Sequence, residues 1–186
     1  MVVPKLKALI LDRDGTLIVH VPYLADPARV ELLPGVREGL LAAQRAGLKL
    51  FLHSNQSGVG RGLYPLDAVH ACNRRLIELL ELGEAPFARI CIAPERPDEA
   101  SVYRKPSPAF AREVLKDFNL RPEEVCYIGD RGLDLETAAR AGTRGVGVAT
   151  GLEDLRAELA AAKLAGVYPV FDRFDDAIRH LLAEAK

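Results

Sequence analysis

Residues 6–16 read LKALILDRDGT, an apolar run that ends abruptly in two aspartates one residue apart, Asp12 and Asp14, followed by Gly15 and Thr16. A short apolar run closed by a turn signal has the pattern of a strand buried on both faces. Such a strand does not ordinarily finish on paired carboxylates, so chemistry is expected at this end. Carboxylates at the C-terminal edge of a sheet suit a hard cation. One of them can also act as a nucleophile while its neighbour handles a proton.

Outward from this segment, whose strand spans 6–11, further short apolar runs lie at 48–53, 89–92, 125–128, 145–149 and 167–171. Helical periodicity fills the intervals at 36–46, 66–82, 108–118, 134–141, 152–162 and 174–185. Gly47, Gly83 and Gly142 stand where helices should stop, and Ser107 before Pro108 pairs a cap with a first-turn proline. Buried strands alternating with amphipathic helices predict an α/β fold with a doubly wound, mostly parallel sheet and helices on both faces. A single domain over 1–186 with no large cap domain is expected. Three longer connections, 18–34, 55–65 and 93–106, should emerge at the C-terminal edge of the sheet, where open α/β sheets bind ligands.

The chain has 186 residues, 49% hydrophobic and 27% charged, enough for one well-buried core. A formal net charge of −1, with no basic block interleaved with aromatics, argues against a nucleic-acid partner. No apolar run approaches the roughly 20 residues of a membrane span, and the first one meets carboxylates instead of a small-residue cleavage site. A cytoplasmic protein without a membrane partner is therefore expected. Cys72, Cys91 and Cys126 are widely spaced and odd in number, which predicts small core hydrophobes instead of a disulfide framework. His20, His53, His70 and His180 share no ligand spacing, so core or surface roles are expected of them. The oligomeric state stays open.

Four polar signatures end successive predicted strands: Asp12 with Asp14, Ser54 with Asn55, Arg104 with Lys105, and Asp130 with Asp134. Each alone is ordinary turn or cap chemistry. Together at one sheet edge they fit phosphoryl transfer, which needs a cation, donors for the phosphoryl charge, an in-line nucleophile and a proton source. Asp12 and Asp130 are expected to hold Mg²⁺, with the Asp14 backbone carbonyl as a further ligand. Ser54 and Lys105 would neutralise the transferring group. The Asp14 carboxyl, turned from the metal, would protonate the leaving oxygen and later activate water.

The set resembles the haloacid dehalogenase (HAD) superfamily of aspartate-nucleophile phosphatases. DRDGT (12–16) matches its first motif, Ser54 its second, Lys105 its third and GDRGLD (129–134) its fourth, with Asp134 in support. An Asp at the second position of the first motif implies hydrolysis of a phosphate monoester, through an aspartyl-phosphate on Asp12. SNQSGVGRG (54–62), RKPSP (104–108) and ELLPGV (31–36) are similar to the capless branch that contains heptose bisphosphate and histidinol phosphatases. That resemblance implies substrate contacts from Arg104 and from 20–23, including His20 and Tyr23. It also implies that Asn55, Gln56 and Ser57 line the pocket and that Arg131 reaches a polar substituent. The implied substrates are a sugar phosphate, a bisphosphate such as heptose 1,7-bisphosphate, or histidinol phosphate. Arg61, Arg96 and Arg104 are candidates for binding a second anionic group.

Relatives in this branch often carry a zinc loop with a CxH and a CxC pair ahead of the RKP run. The corresponding positions here are Ala93, Glu95, Ser101 and Tyr103, which offer neither thiolate nor imidazole. No structural zinc is expected, and the loop should be held by Pro94, Pro97 and packing. A phospho-accepting receiver domain uses a similar residue set. It needs a carboxylate at the tip of the third strand, where this chain has Cys91, Ile92 and Ala93. A catalytically silent scaffold is disfavoured because the motif carboxylates and donors are all present.

Overall fold

Strand β1 (Ala8–Leu11) is the ALIL of the opening segment, and all its side chains are buried. The structure, a computed structural model, describes residues 5–184. β1 lies inside a six-stranded parallel sheet with β2 (Lys49–Asn55), β3 (Phe87–Ala93), β4 (Val125–Gly129), β5 (Arg144–Val148) and β6 (Val170–Phe171). The order is β3-β2-β1-β4-β5-β6. The helices are α1 (Val36–Arg45), α2 (Ser57–Gly60), α3 (Leu66–Leu80), α4 (Ala109–Asp117), α5 (Gly132–Ala141), α6 (Leu155–Ala161) and α7 (Phe174–Ala183).

The two-residue period of a strand divides β1 between two cores. Leu9 and Leu11 pack with Leu40 of α1, Leu76 of α3 and Ile178 of α7 on one face; Ala8 and Ile10 pack with Phe110 and Val114 of α4 and Ala138 of α5 on the other. Burial on both faces is why the run is apolar without alternation. Because β2 and β4 flank β1 on opposite sides, the winding reverses there and leaves a crevice beyond the C-terminal ends of β1 and β4. Asp12 directly follows β1 and Asp130 directly follows β4, so topology brings both to that crevice.

Several boundaries differ from the local pattern because tertiary contacts override it. β2 runs past its predicted end because Ser54 and Asn55 pair with Ile92 and Ala93. The last strand shrinks to Val170–Phe171: Pro169 has no N–H to donate, and Val167 N turns back to Leu164 O. α3 stops at Leu80, ahead of Gly83, as Glu81 adopts a left-handed conformation at φ 52°. α5 begins early enough to put Asp134 in its first turn. α6 begins late, capped by Asp154, whose carboxylate accepts from Ala157 N at 3.1 Å. Pro108 occupies the N-cap position of α4, one residue later than expected; the Ser107 hydroxyl still accepts from Ala109 N, the first helical residue, at 3.3 Å, and donates to Val102 O at 2.6 Å. The predicted end of the last helix at 185 lies outside the described residues.

Candidate active site

Asp12, Asp130 and Asp134 offer carboxylate oxygens within 4.8 Å of one another, the one cluster of its kind among the described residues. Asp130 is 0% exposed. Its Oδ1 lies 3.1 Å from the Thr16 hydroxyl, which is also 3.3 Å from Asp12 Oδ2, so a single proton serves one carboxylate at a time. Asp130 Oδ2 is buried with no partner. Gly15, at φ 84°, and Gly151 make room for that oxygen: a Cβ would fall 2.4 Å and 1.9 Å from it, respectively. Burial, then the charges of Asp12 and Asp134, push the Asp130 carboxyl up to about 9. An orphaned carboxylate oxygen beside a second carboxylate is a donor set that a divalent cation satisfies, so these residues fit such an ion.

The same strain predicts a stability effect. A carboxyl raised from 3.8 to about 9 on folding keeps its proton longer in the folded chain than in the unfolded one. The metal-free protein should therefore lose stability as pH rises between those values, by at most about 1.4 kcal/mol per unit. Asp130→Asn is expected to stabilise the metal-free protein by about 1–2 kcal/mol near neutral pH, to flatten that slope, and to abolish metal-dependent turnover. Denaturant titrations in chelator on the acid and alkaline sides of neutrality measure this; a destabilised variant would count against a cation seat at Asp130.

Lys105 stands between two carboxylates, with Nζ 2.5 Å from Asp12 Oδ1 and 2.6 Å from Asp134 Oδ1. Burial would lower its pKa, but Asp12 and Asp134 outweigh burial and hold it well above the ordinary value. Asp134 is fully committed: its Oδ1 accepts from Lys105, and its Oδ2 accepts from Arg131 N at 3.1 Å. β2 fixes the backbone that carries the lysine. Asn55 Oδ1 accepts from Lys105 N at 2.9 Å, and Asn55 Nδ2 donates to Lys105 O at 3.2 Å. Two residues earlier on the same face of β2, His53 Nε2 donates to Tyr103 O at 2.8 Å while Nδ1 lies 2.7 Å from the Tyr127 hydroxyl. Burial, then Lys105, lowers His53 to about 3, which makes it a neutral core residue with a set tautomer.

Asp14 is held by a different set of donors. Arg13 grips both its oxygens, Nε to Oδ2 at 3.0 Å and Nη2 to Oδ1 at 3.1 Å, and Gln56 Nε2 donates to Oδ2 at 2.8 Å. Arg13 is itself fully buried and anchored on α3, where Nη1 donates to Asn73 Oδ1 at 2.9 Å. Gln56 also donates to Ser54 Oγ at 2.6 Å and accepts from the Tyr64 hydroxyl at 3.1 Å. Gln56 borders the cavity, with its amide turned inward to Asp14 and Ser54.

A cavity of about 450 Å³ opens over these groups. It gathers Asp12, Asp14, Lys105 and Asp130 with His20, Tyr23, Asn55, Gln56, Ser57, Arg104 and Arg131. Ser54 does not border it and is buried behind Gln56. Tyr23, 50% exposed and at φ 53°, forms part of the wall, as does Leu152, 64% exposed because α6 starts beyond it. Arg131 is engaged by Glu158 of α6 at 2.7 Å, whereas Arg104 makes no ion pair among the described residues. Two of the three proposed anion-binding arginines fail. Arg61 and Arg96 are exposed and off the cavity, and Arg96 is bound to Asp98 at 2.6 Å. The 93–106 connection also departs from expectation, being tied by hydrogen bonds from Ser101 to Glu95 and from Arg104 to both, beyond any packing of prolines. Arg13, Asn73, Tyr64 and Glu158 were not anticipated. Only Arg13, flanked by two aspartates at a buried strand's end, carried a local signal.

A family model described as HAD-hydrolase-like matches residues 102–177. The D-glycero-beta-D-manno-heptose-1,7-bisphosphate 7-phosphatase of Pseudomonas putida is 33% identical over 147 residues, covering 78% of this chain and 84% of the relative. The D-glycero-D-manno-heptose-1,7-bisphosphate 7-phosphatase of Thermosynechococcus vestitus is 34% identical over 158 residues, covering 79% and 81%. The crystal structure of D,D-heptose 1,7-bisphosphate phosphatase from B. bronchiseptica, complexed with magnesium and phosphate, matches with a TM-score of 0.87 at 29% identity, over 97% of this chain and 100% of that one. No helix among the described residues is long and apolar enough to cross a membrane. These relatives are phosphatases, which removes the receiver alternative. The chain belongs to the HAD-like phosphatases and is a phosphoric monoester hydrolase of the branch these relatives share.

Proposed function

We propose that the chain is a Mg²⁺-dependent phosphatase of small phosphorylated sugars in the class of D-glycero-D-manno-heptose 1,7-bisphosphate, acting through an aspartyl-phosphate on Asp12. The observation that carries this reading is the Lys105 ammonium 2.5 Å from Asp12, beside the unpartnered Asp130 oxygen. Asp12, Asp130 and the Asp14 carbonyl would hold Mg²⁺, which supplies charge neutralisation to the phosphoryl oxygens. An Asp12 oxygen attacks phosphorus as the bond from phosphorus to the sugar oxygen breaks, and Asp14 gives its proton to that departing oxygen. Asp14 then takes a proton from water, whose oxygen displaces Asp12 from phosphorus. Inorganic phosphate leaves, and both aspartates are restored. Lys105 serves the charge of the transferring group, while Arg13 and Gln56 keep the Asp14 carboxyl in place for both proton transfers; Ser54, expected to share the phosphoryl charge, lies behind Gln56 and off the cavity.

The unpaired Arg104 guanidinium in the cavity favours a substrate with a second anionic group. Phosphate release from heptose 1,7-bisphosphate should exceed that from histidinol phosphate by about 100-fold in kcat/KM. Chelator should silence it and Mg²⁺ restore it. Equal rates on the two substrates would overturn the substrate class, and turnover indifferent to divalent metal would overturn the cation's role.

A further inference from the structure

We infer that Glu95 and Ser101 form a hydrogen-bonded clasp that positions Arg104 toward the second anionic group of the substrate; this rests on reading Arg104 as a substrate contact. The contacts form a closed circuit across the 93–106 connection. Arg104 N donates to Ser101 Oγ at 3.0 Å, the Ser101 hydroxyl donates to Glu95 Oε2 at 2.8 Å, and Arg104 Nη1 donates to Glu95 O at 3.1 Å. Both ends of Arg104 and both ends of Glu95 are thus engaged. Ser101 is the hinge of the circuit, since its one hydroxyl accepts from Arg104 and donates to Glu95.

The foundation under the circuit is rigid on both limbs. Pro94 O accepts from Gly60 N of α2 at 2.9 Å, and Lys105, next to Arg104, is clamped by Asn55. Between the limbs, Arg96 N donates to Glu99 Oε2 at 2.8 Å and closes the outer turn. Glu95 makes no ion pair with the guanidinium it orients, so the direction of Arg104 is fixed while its charge stays available. Arg131, on the same cavity, is the contrast: Glu158 takes its charge directly. An arginine that is aimed but not neutralised binds an incoming anion without first losing side-chain freedom or an internal partner.

Steady-state kinetics on heptose 1,7-bisphosphate tests the clasp. Ser101→Ala and Glu95→Ala should each raise KM about tenfold with kcat within about twofold, as expected for lost pre-organisation of a binding group. Ser101→Thr and Glu95→Gln keep a hydroxyl and an acceptor and should restore the wild-type KM. Arg104→Ala should raise KM at least as far, and adding Ser101→Ala to it should change nothing further, because the serine acts only through the arginine. If Arg104→Ala raises KM while Ser101→Ala and Glu95→Ala leave it alone, the clasp is wrong and the substrate contact stands. If Arg104→Ala leaves KM unchanged, the substrate reading of Arg104 falls, and the clasp with it. An additive double variant, or a loss in kcat that the conservative variants do not rescue, would make the pair merely structural.

Discussion

Asp12→Asn is expected to lower kcat by about 10⁴-fold or more while leaving the protein folded. An amide keeps the size of the carboxylate but is not a nucleophile toward phosphorus, so no phosphoryl-enzyme can form. The fold should tolerate the change: Lys105 retains Asp134 at 2.6 Å, and the crowding of negative charge around Asp130 is relieved. Asp14→Asn separates the two aspartates. It leaves the nucleophile intact and should slow turnover by about 10²- to 10⁴-fold, through lost proton transfer. Acid-quenched single turnovers distinguish the two, since only the Asp14 variant can still accumulate phosphate on the protein. Full activity in the Asp12 variant would refute its assignment as nucleophile.

Lys105→Met should remove both activity and much of the stability. Lys105, 4% exposed, places its ammonium between Asp12 and Asp134, and its removal leaves two buried carboxylates uncompensated, at a cost of about 3–5 kcal/mol. Loss of a fixed cation at the transferring phosphoryl should lower kcat by about 10³-fold. The pH dependence has a defined sign. The folded pKa of Lys105 lies above its ordinary 10.5, so its contribution is complete at any pH below that value and is lost only as pH rises through the higher folded one. The deficit of the variant should therefore be steady near neutrality. It should narrow in acid as Asp134, already pushed up to about 6 by burial against the pull of Lys105, takes on a proton. Denaturant midpoints across that pH range check this. A variant as stable as the wild type would show that the lysine does not compensate the pair.

The candidate catalytic groups Asp12 and Asp130 are legible because each is tied to the end of a buried apolar run. Once LILD and YIGD are read as parallel strands, Asp12 and Asp130 meet whatever the loops do. Groups contributed from elsewhere had no comparable signal. Asn73 lies mid-helix on α3 and looks like any helical polar residue until Arg13 reaches it across the core. Arg61 and Arg96 looked equivalent to Arg104 by charge and loop position, and only the fold shows one on the cavity and two in solvent. The α6 boundary was missed for a similar reason. An apolar Leu152 fits the helical period, but the Asp154 cap starts the helix after it and leaves the leucine on the cavity wall.

The way the 93–106 connection beside the cavity is held bears on the conditions under which such an enzyme can work. Every link in the 93–106 circuit is an oxygen or a nitrogen. The chain's thiols lie buried, and burial pushes Cys91 and Cys126 up to about 12, far from the thiolate form that peroxide attacks. Oxidative stress therefore finds no sulfur among the bonds that hold this connection.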